Sequence, residues 1–200
     1  MAWPIFTPLD RHKVGSGFLL GAVEGTALPV FTAAGGKFTN TWDTAWKQLG
    51  RTTEDGINIT FGQENASYQS SQEAYPFLTK VTSRSVNVGF TLYEYNKQNM
   101  KMALNGGNWS VTGSGATEVA TYTPALPGQE TYSMLAWIGP NDDEVCLIYK
   151  AFSSAEVSMD MTRDDPRPLP LNMQAQQPLA AISNVPYRWY VAGDAYADPS

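Results

Sequence analysis

The feature that most constrains this fold is a stretch of strict alternation within residues 80–95. Apolar side chains occupy every second position there, and small or polar residues fill the positions between them. The apolar positions are Val86, Val88, Phe90 and Leu92, and the others are Ser85, Asn87, Gly89 and Thr91. A period of two residues places one set of side chains on each face of a β-strand. The pattern therefore predicts a sheet with one buried face and one polar face.

Other segments carry the same strand signal. Residues 57–61 and 155–162 also alternate between apolar and polar side chains. The polar positions are Asn58 and Thr60 in the first segment, and Glu156, Ser158 and Asp160 in the second. Residues 17–32 are predicted to form an apolar strand, a loop and an extended segment. Further strands are predicted in residues 118–122 and 168–175, with a hairpin formed by residues 131–138 and 144–152. The polar residues 62–79 are interpreted as a long protruding hairpin or loop.

Two short helices are predicted beside these strands. In residues 40–50, Trp42, Trp46 and Leu49 have the i, i+4, i+7 spacing of one helical face, and Gly50 can end the helix. A second helix is predicted to begin at Asn96, which can cap it, and to end at residues 105–107. Both are too short to be stable without packing on the sheet.

The composition supports a mainly β architecture. Only 16% of the 200 residues are charged, whereas 17 glycines and 13 prolines provide many turns. About eight strands and one or two short flanking helices indicate a β-sandwich or barrel-like fold. We divide the chain into an irregular N-terminal arm (residues 1–16), a β-domain (residues 17–177) and a C-terminal segment (residues 178–200).

The residues that enzymes and metal sites require are scarce. His12 is the only histidine and Cys146 the only cysteine, so no catalytic triad or zinc site is expected. Cys146 lies in an apolar run and is predicted to be a buried core residue. The net charge of −6 without a basic stripe argues against tight binding of nucleic acid. No cofactor, catalytic residue or metal ligand is predicted, and no apolar stretch approaches the length of a membrane helix.

The order of several segments resembles the tail tube proteins of siphophages that infect actinobacteria. A leucine–glycine pair precedes Glu-Asp-Gly and a strand in residues 46–57, and the polar segment 62–79 follows. Residues 81–92 then form the clearest strand, a helix starts at Asn96, and residues 165–171 lead into a late strand. Each motif alone is weak, so the resemblance rests on their succession over about residues 20–177.

The resemblance implies a structural subunit of a long-tailed phage. In this family, hexameric rings stack into a tube, and each subunit contributes strands to a continuous lumen barrel. About 24 strands at about 4.8 Å spacing and about 40° tilt give a backbone diameter on the order of 50 Å, which admits duplex DNA. The implied partners are further copies of the chain, the tape measure protein, and tail tip and terminator proteins. DNA would pass transiently, and assembly would occur in the host cytoplasm before the protein resides in the virion tail.

Two surfaces are predicted from this resemblance and the strand pattern. The lumen is expected to be lined by the polar strand faces, where carboxylates would repel phosphates. The lumen residues are Asn58, Thr60, Ser85, Asn87, Glu156, Ser158 and Asp160. The loop of residues 62–79 is expected to reach the next ring, with Tyr68, Tyr75 and Phe77 as anchors.

Two other classes of protein fit the same sequence features. Another virion ring or a head decoration protein would share a sandwich fold. A carbohydrate-binding sandwich would instead use exposed aromatic side chains such as Trp109 or Trp189. Assembly into long open tubes distinguishes a tail tube protein from both alternatives.

Overall fold

An antiparallel sheet of eight strands forms the body of the protein. The computed structural model describes residues 17–72, 74–154, 156–158 and 168–193. The elements in chain order are β1 (Phe18–Val23), β2 (Ala33–Ala34), β3 (Lys37–Phe38), β4 (Lys47–Gln48), β5 (Thr52–Tyr68), β6 (Leu78–Leu92), α1 (Lys97–Ala103), β7 (Asn108–Thr112), a 3₁₀ turn (Gly115–Thr117), β8 (Val119–Thr123), β9 (Ser133–Ile138), β10 (Glu144–Ser153), β11 (Leu169–Ala175) and β12 (Tyr187–Val191). The described part is mainly β with one α-helix, as the sequence predicts.

The strand order of the large sheet is β4-β1-β9-β10-β11-β6-β5, with β12 paired to β10 outside this path. Strand β10 joins the half of the sheet formed by β4, β1 and β9 to the half formed by β11, β6 and β5. Along one edge it pairs with β9, and along the other it pairs first with β12 and then with β11. A register shift between Ile148 and Ala151 marks this change of partner. Such bulges bend a strand, so β10 can belong to both halves of the sheet. The sheet is not closed into a barrel.

Two hydrophobic clusters lie on opposite faces of β1, β9 and β10. Neighbouring residues point to opposite sides, so Leu19 belongs to the first cluster and Leu20 to the second. The first cluster joins these strands to β6, β11 and α1. The second is covered by aromatic side chains from the segment between β1 and β4 and from β12, namely Phe31, Phe38, Trp42, Trp46 and Tyr190. Burial on both faces explains the continuous apolar runs of these three strands.

The helix predicted for residues 40–50 is wrong. The backbone amide of Ala45 donates to the Asp43 carboxylate at 2.8 Å, and the Trp46 amide donates to the Asp43 carbonyl oxygen at 3.0 Å, which makes a turn. Lys47 and Gln48 then form β4 against β1. Trp42 and Trp46 do pack together, with ring centroids 5.1 Å apart. Pairing with β1 outweighs the weak intrinsic stability of so short a helix.

The second predicted helix is confirmed as α1. Asn96 caps it, because its side-chain oxygen accepts a hydrogen bond from the Asn99 amide at 2.8 Å. The Asn99 side chain donates to the carbonyl oxygens of Leu49 and Glu94, at 2.7 and 2.9 Å. The bond to Leu49 ties the first turn of α1 to the segment between β4 and β5.

The strand predicted for residues 155–162 is also wrong where it can be examined. Residues 156–158 are irregular, and only Val157 packs against the first cluster. Residues 155 and 159–162 lie outside the described residues. Strands β7 and β12 were not predicted from the sequence. The strand β7 lies in residues 108–112, where no strand was predicted, and it pairs only with β8 in the described structure.

Candidate functional site

A polar surface forms on the outer side of β5 and β6. Thr60 lies opposite Asn87, Asn58 lies opposite Gly89, and Gly62 lies opposite Ser85. Directly opposed residues of an antiparallel pair project to the same side of the sheet. The structure therefore brings four of the predicted lumen residues onto one face. They are Asn58, Thr60, Ser85 and Asn87, and the opposite face of these strands carries Val86, Val88 and Phe90 in the core.

Strand β11 extends this polar surface with two residues that the sequence analysis missed. Asn172 lies opposite Gly89, and Gln174 lies opposite Asn87. Both side chains are exposed, whereas Leu171 and Met173 between them are buried. The alternation of residues 169–175 was a sufficient signal, since it has the same period as β6. We call the surface formed by Asn58, Thr60, Ser85, Asn87, Asn172 and Gln174 the polar face.

The polar face consists of amides and hydroxyls and has no charge. The Thr60 hydroxyl donates to the Asn58 side-chain oxygen at 2.7 Å, which orients two neighbouring groups along β5. Toward the tip of β5, the Ser83 hydroxyl donates to the Glu64 carboxylate at 2.8 Å. Arg84 lies opposite Gln63 and next to Ser85 in the strand, so its side chain projects to the other side of the sheet from the polar face. A neutral polar surface offers phosphates no counter-charge to hold them.

The remaining predicted lumen residues do not join the polar face in the described structure. Glu156 and Ser158 are exposed in the irregular stretch after β10, and no strand pairing holds them. Asp160 lies outside the described residues. Residues 155–162 alternate between apolar and polar side chains in the sequence, but residues 156–158 pair with no neighbouring strand in the described structure.

A two-stranded hairpin projects beyond the sheet. Strand β11 pairs with β6 no further than Asn87, so residues 78–86 pair only with β5. At a rise of about 3.3 Å per residue, the hairpin extends about 27 Å from the end of β11. The Phe77 amide donates to the Tyr68 carbonyl oxygen at 3.0 Å and closes its tip. The segment predicted as a loop or hairpin is thus a hairpin.

The tip of the hairpin exposes aromatic side chains. The exposed fractions are 83% for Tyr75, 64% for Phe77 and 50% for Tyr68. Within the described residues, at least half of each of these side chains is exposed. Exposed aromatic side chains gathered at one site are typical of protein–protein contacts. The structure therefore presents all three predicted stacking residues together at one end of the molecule.

The described residues offer no candidate metal site, and the single cysteine is buried. Among those residues, no group of three His, Cys, Asp or Glu side chains could hold a metal ion. Burial raises the pKa of the Cys146 thiol to about 12, so it stays protonated and unreactive at neutral pH. Cys146 is a core residue, as predicted. His12 lies outside the described residues. The described α1 is too short to span a bilayer, and no other described helix does so.

Comparison with known proteins identifies a protein family and several similar solved structures. A family model described as "Phage tail tube protein" matches residues 12–193. No curated protein matches the sequence. Among solved structures, the cryo-EM structure of the anti-feeding prophage cap (AFP tube terminating cap) is similar, with a TM-score of 0.42 and 10% identity. The alignment covers 96% of this chain and 100% of that chain.

Proposed function

The chain belongs to the phage tail tube protein family, and on that premise we propose that its copies form hexameric rings that stack into a tail tube. The tube belongs to a long-tailed, siphovirus-type phage of an actinobacterial host. It conducts DNA from the virion into the cell. This role is structural and needs no active site. Family membership favours it over a head decoration protein or a carbohydrate-binding module.

The polar face supports the lumen assignment. It spans three neighbouring strands, is backed by the hydrophobic core, and consists of uncharged side chains such as Thr60, Asn87 and Asn172. A conduit must contact a polyanion without retaining it, and retention of DNA scales with cationic contacts to phosphates. Asn58 and Ser85 lie on the same face and complete the lumen surface of each copy.

Carboxylates would strengthen this behaviour where they reach the lumen. Glu156 is exposed in the described structure, and Asp160 follows it closely in the sequence. We retain Glu156, Ser158 and Asp160 as lumen residues in the proposal. In the assembled ring, the stretch that contains them adds negative charge to the lumen and repels the DNA backbone.

The open edge of β5 supports ring closure. In the described structure β5 pairs only with β6, so its other edge presents unpaired backbone groups. An open edge of 17 residues is an aggregation hazard unless another chain covers it. In a closed ring each such edge pairs with the neighbouring copy, which joins the subunit sheets into one barrel.

The hairpin supports stacking of the rings. Its reach of about 27 Å beyond the sheet carries Tyr68, Tyr75 and Phe77 toward the next ring. There the aromatic rings lose their exposure to water, which favours association. The remaining partners in the proposal are the tape measure protein and the tail tip and terminator proteins. Assembly takes place in the host cytoplasm.

Negative-stain electron microscopy of the concentrated protein tests the proposal. Hollow tubes, or six-fold rings with a central channel, are the expected result. Closed shells or discrete dimers would contradict the tube. If monomers persist, addition of the phage's tail tip complex as a nucleus supplies the second measurement, and continued absence of tubes would then refute the proposal.

A further inference from the structure

A pocket lies between α1 and the edge of the sheet formed by β1 and β4, and neither the polar face nor the hairpin contributes to it. Its volume is about 340 Å³. We call it the lysine pocket. The residues that line it include Val23, Lys47, Lys97, Lys101, Met102 and Trp109.

Strand pairing directs two of these side chains toward α1. A side chain at Gly21 would collide with the methyl group of Met102, so this side of β1 faces the helix. Val23 is two residues further along β1 and therefore projects to the same side. Lys47 lies directly opposite Gly21 and shares that side as well. Val23 is 64% exposed, so the space beside the helix is open to solvent.

The helix and β7 form the other wall of the lysine pocket. Lys97 and Lys101 are four residues apart and project to the same side of α1. Met102 is buried beside them and makes part of the floor apolar. The Trp109 indole N–H donates to the Lys97 carbonyl oxygen at 3.1 Å, which fixes the indole ring beside the helix.

Positive charge exceeds negative charge at the lysine pocket. None of the described Asp and Glu residues is among those that line it. Lys97 forms an ion pair with Glu118 at 3.8 Å, whereas Lys47 and Lys101 form none within the described residues. Ammonium groups attract both carboxylates and the faces of aromatic rings. The lysine pocket therefore fits a segment that carries an aromatic ring and a carboxylate, without a cation of its own.

The tip of the hairpin has this composition. Residues 65–79 contain no lysine or arginine, and their one carboxylate belongs to Glu73, which lies outside the described residues. Tyr75 and Phe77 are 83% and 64% exposed there. An apolar cavity of about 150 Å³ admits a benzene molecule, so the lysine pocket has room for one of these rings.

We propose that the lysine pocket receives the hairpin tip of a copy in the adjacent ring. The Tyr75 ring lies against Met102 and Trp109, and Lys47 and Lys101 face the ring and the negative charge of the tip. The proposal rests on the proposed function, because it needs stacked rings. It adds the surface on which the tip of each copy docks.

The length of β6 excludes docking of the tip within the same chain. The strand begins beside the tip at Leu78 and ends at Leu92, five residues before Lys97. At about 3.3 Å per residue β6 spans about 46 Å, whereas five residues reach at most about 18 Å. The tip and α1 therefore lie near opposite ends of β6. A contact between two such different surfaces is heterologous, and it repeats along an open stack.

The proposed hexamer makes a small contact sufficient. One aromatic side chain buries only about 150–250 Å². Six tips on one ring face six pockets on the next, and after the first tip docks the others bind at a high effective concentration. The two ends of the stack differ as a consequence, since one exposes empty lysine pockets and the other exposes free tips.

Cross-linking between two differently labelled chains tests the docking directly. One chain carries Ala74→Cys at the tip and the other carries Val23→Cys in the lysine pocket, and Cys146 stays in both because it is buried. With a short bismaleimide reagent, tubes of the mixture are expected to give a covalent heterodimer. The matched control replaces Val23→Cys by Val30→Cys, at a valine that is 77% exposed outside the pocket, and gives at least tenfold less product.

The outcomes separate the docking from the proposed function. Mixed tubes without the heterodimer would overturn docking in the lysine pocket and leave the tube itself intact. A benzophenone attached to Val23→Cys identifies the occupant in tubes by mass spectrometry, and capture of a segment other than residues 69–77 would likewise overturn the docking. Absence of tubes from the wild-type chain would refute the proposed function.

A peptide assay examines the lysine pocket without relying on assembly. A labelled cyclic peptide of residues 65–79 is added to the dilute full-length chain. Binding is expected to weaken at least tenfold with Val23→Glu, with the double variant Lys47→Ala, Lys101→Ala, and with a Tyr75→Ser peptide. Val30→Glu is the matched control and leaves binding unchanged, and thermal unfolding should be the same for both glutamate variants because both valines are exposed. Equal binding in all cases would contradict the docking.

Discussion

The side chain of Asn105 forms two hydrogen bonds with the backbone of Ser153, as the backbone of a neighbouring β-strand would. Its amide nitrogen donates to the Ser153 carbonyl oxygen at 2.8 Å, and its side-chain oxygen accepts from the Ser153 amide at 2.7 Å. The two residues are 48 positions apart in the sequence. Asn105 also takes a left-handed backbone conformation, with φ of 53°. One side chain thus satisfies both backbone groups at the end of β10 and fixes the end of α1 against the sheet.

We expect Asn105→Ala to destabilise the protein by about 2–4 kcal/mol, because it strains the left-handed backbone and leaves two backbone groups without partners. Asn105→Gly keeps the backbone conformation and loses only the hydrogen bonds, so its loss should be smaller. Urea unfolding measures both values. Asn108→Ala, an exposed position on β7, is the matched control. Equal stability of Asn105→Ala and this control would refute the role of the contact.

Alkaline pH is expected to destabilise the fold through Cys146. Burial raises the pKa of its thiol from 9.0 to about 12, so the folded state holds a proton that the unfolded state releases. This contribution to stability is complete below about pH 9 and is lost as pH rises toward 12. Cys146→Ala should flatten this part of the profile of unfolding free energy against pH. An unchanged slope would show that other groups govern it.

Removal of the hairpin tip is expected to stop the growth of tubes. Deletion of residues 69–73 shortens the hairpin without touching the core, so circular dichroism and thermal unfolding should be almost unchanged. Electron microscopy should then show rings or monomers instead of tubes. The substitutions Tyr75→Ser and Phe77→Ser should weaken stacking through lost apolar contact alone. Tyr93→Ser, at a tyrosine that is 43% exposed away from the tip, is the control. Normal tubes from the deletion would contradict the stacking role.

Lysines on the polar face are expected to make the lumen retain DNA. Thr60→Lys and Asn87→Lys add positive charge at two opposed positions, and Asn172→Lys tests a residue that only the structure placed there. Release of DNA through the tube should slow, and the delay should disappear with added salt because each phosphate contact releases counterions. Ser110→Lys provides the same charge on β7. Equal delays in both cases would place the polar face outside the lumen.

Local patterns of the sequence predicted α1 and the strands β6, β9, β10 and β11. The strand that ends at Leu92 could be predicted from its alternating side chains alone, because successive side chains of a β-strand point to opposite sides of the sheet. The Asn96 cap likewise depends on a contact within three residues. The same reasoning extended to Asn172 and Gln174 would have completed the polar face, since their strand has the same period.

Distant partners decided what local patterns could not. Trp42 and Trp46 have helical spacing, yet the Leu49 amide bonds to the Leu19 carbonyl oxygen at 3.0 Å, and the two residues before Leu49 add to the edge of β1. The apolar residues of the β12 segment were visible in the sequence, but nothing in the sequence showed that they would pair with β10. Pairing energy depends on a strand far away in the chain, which no local window contains.

The sequence by itself determined that this chain is mainly β, that the alternating strand ending at Leu92 has one polar face, and that its motifs follow the order found in tail tube proteins. These properties follow from side-chain period and turn chemistry, which act over a few residues. Only the tertiary structure decided that Thr60 faces Asn87 and that Phe61 packs against Tyr187. Such proximities arise from sheet register and from the split pairing of β10, because contacts between remote strands outweigh local preference.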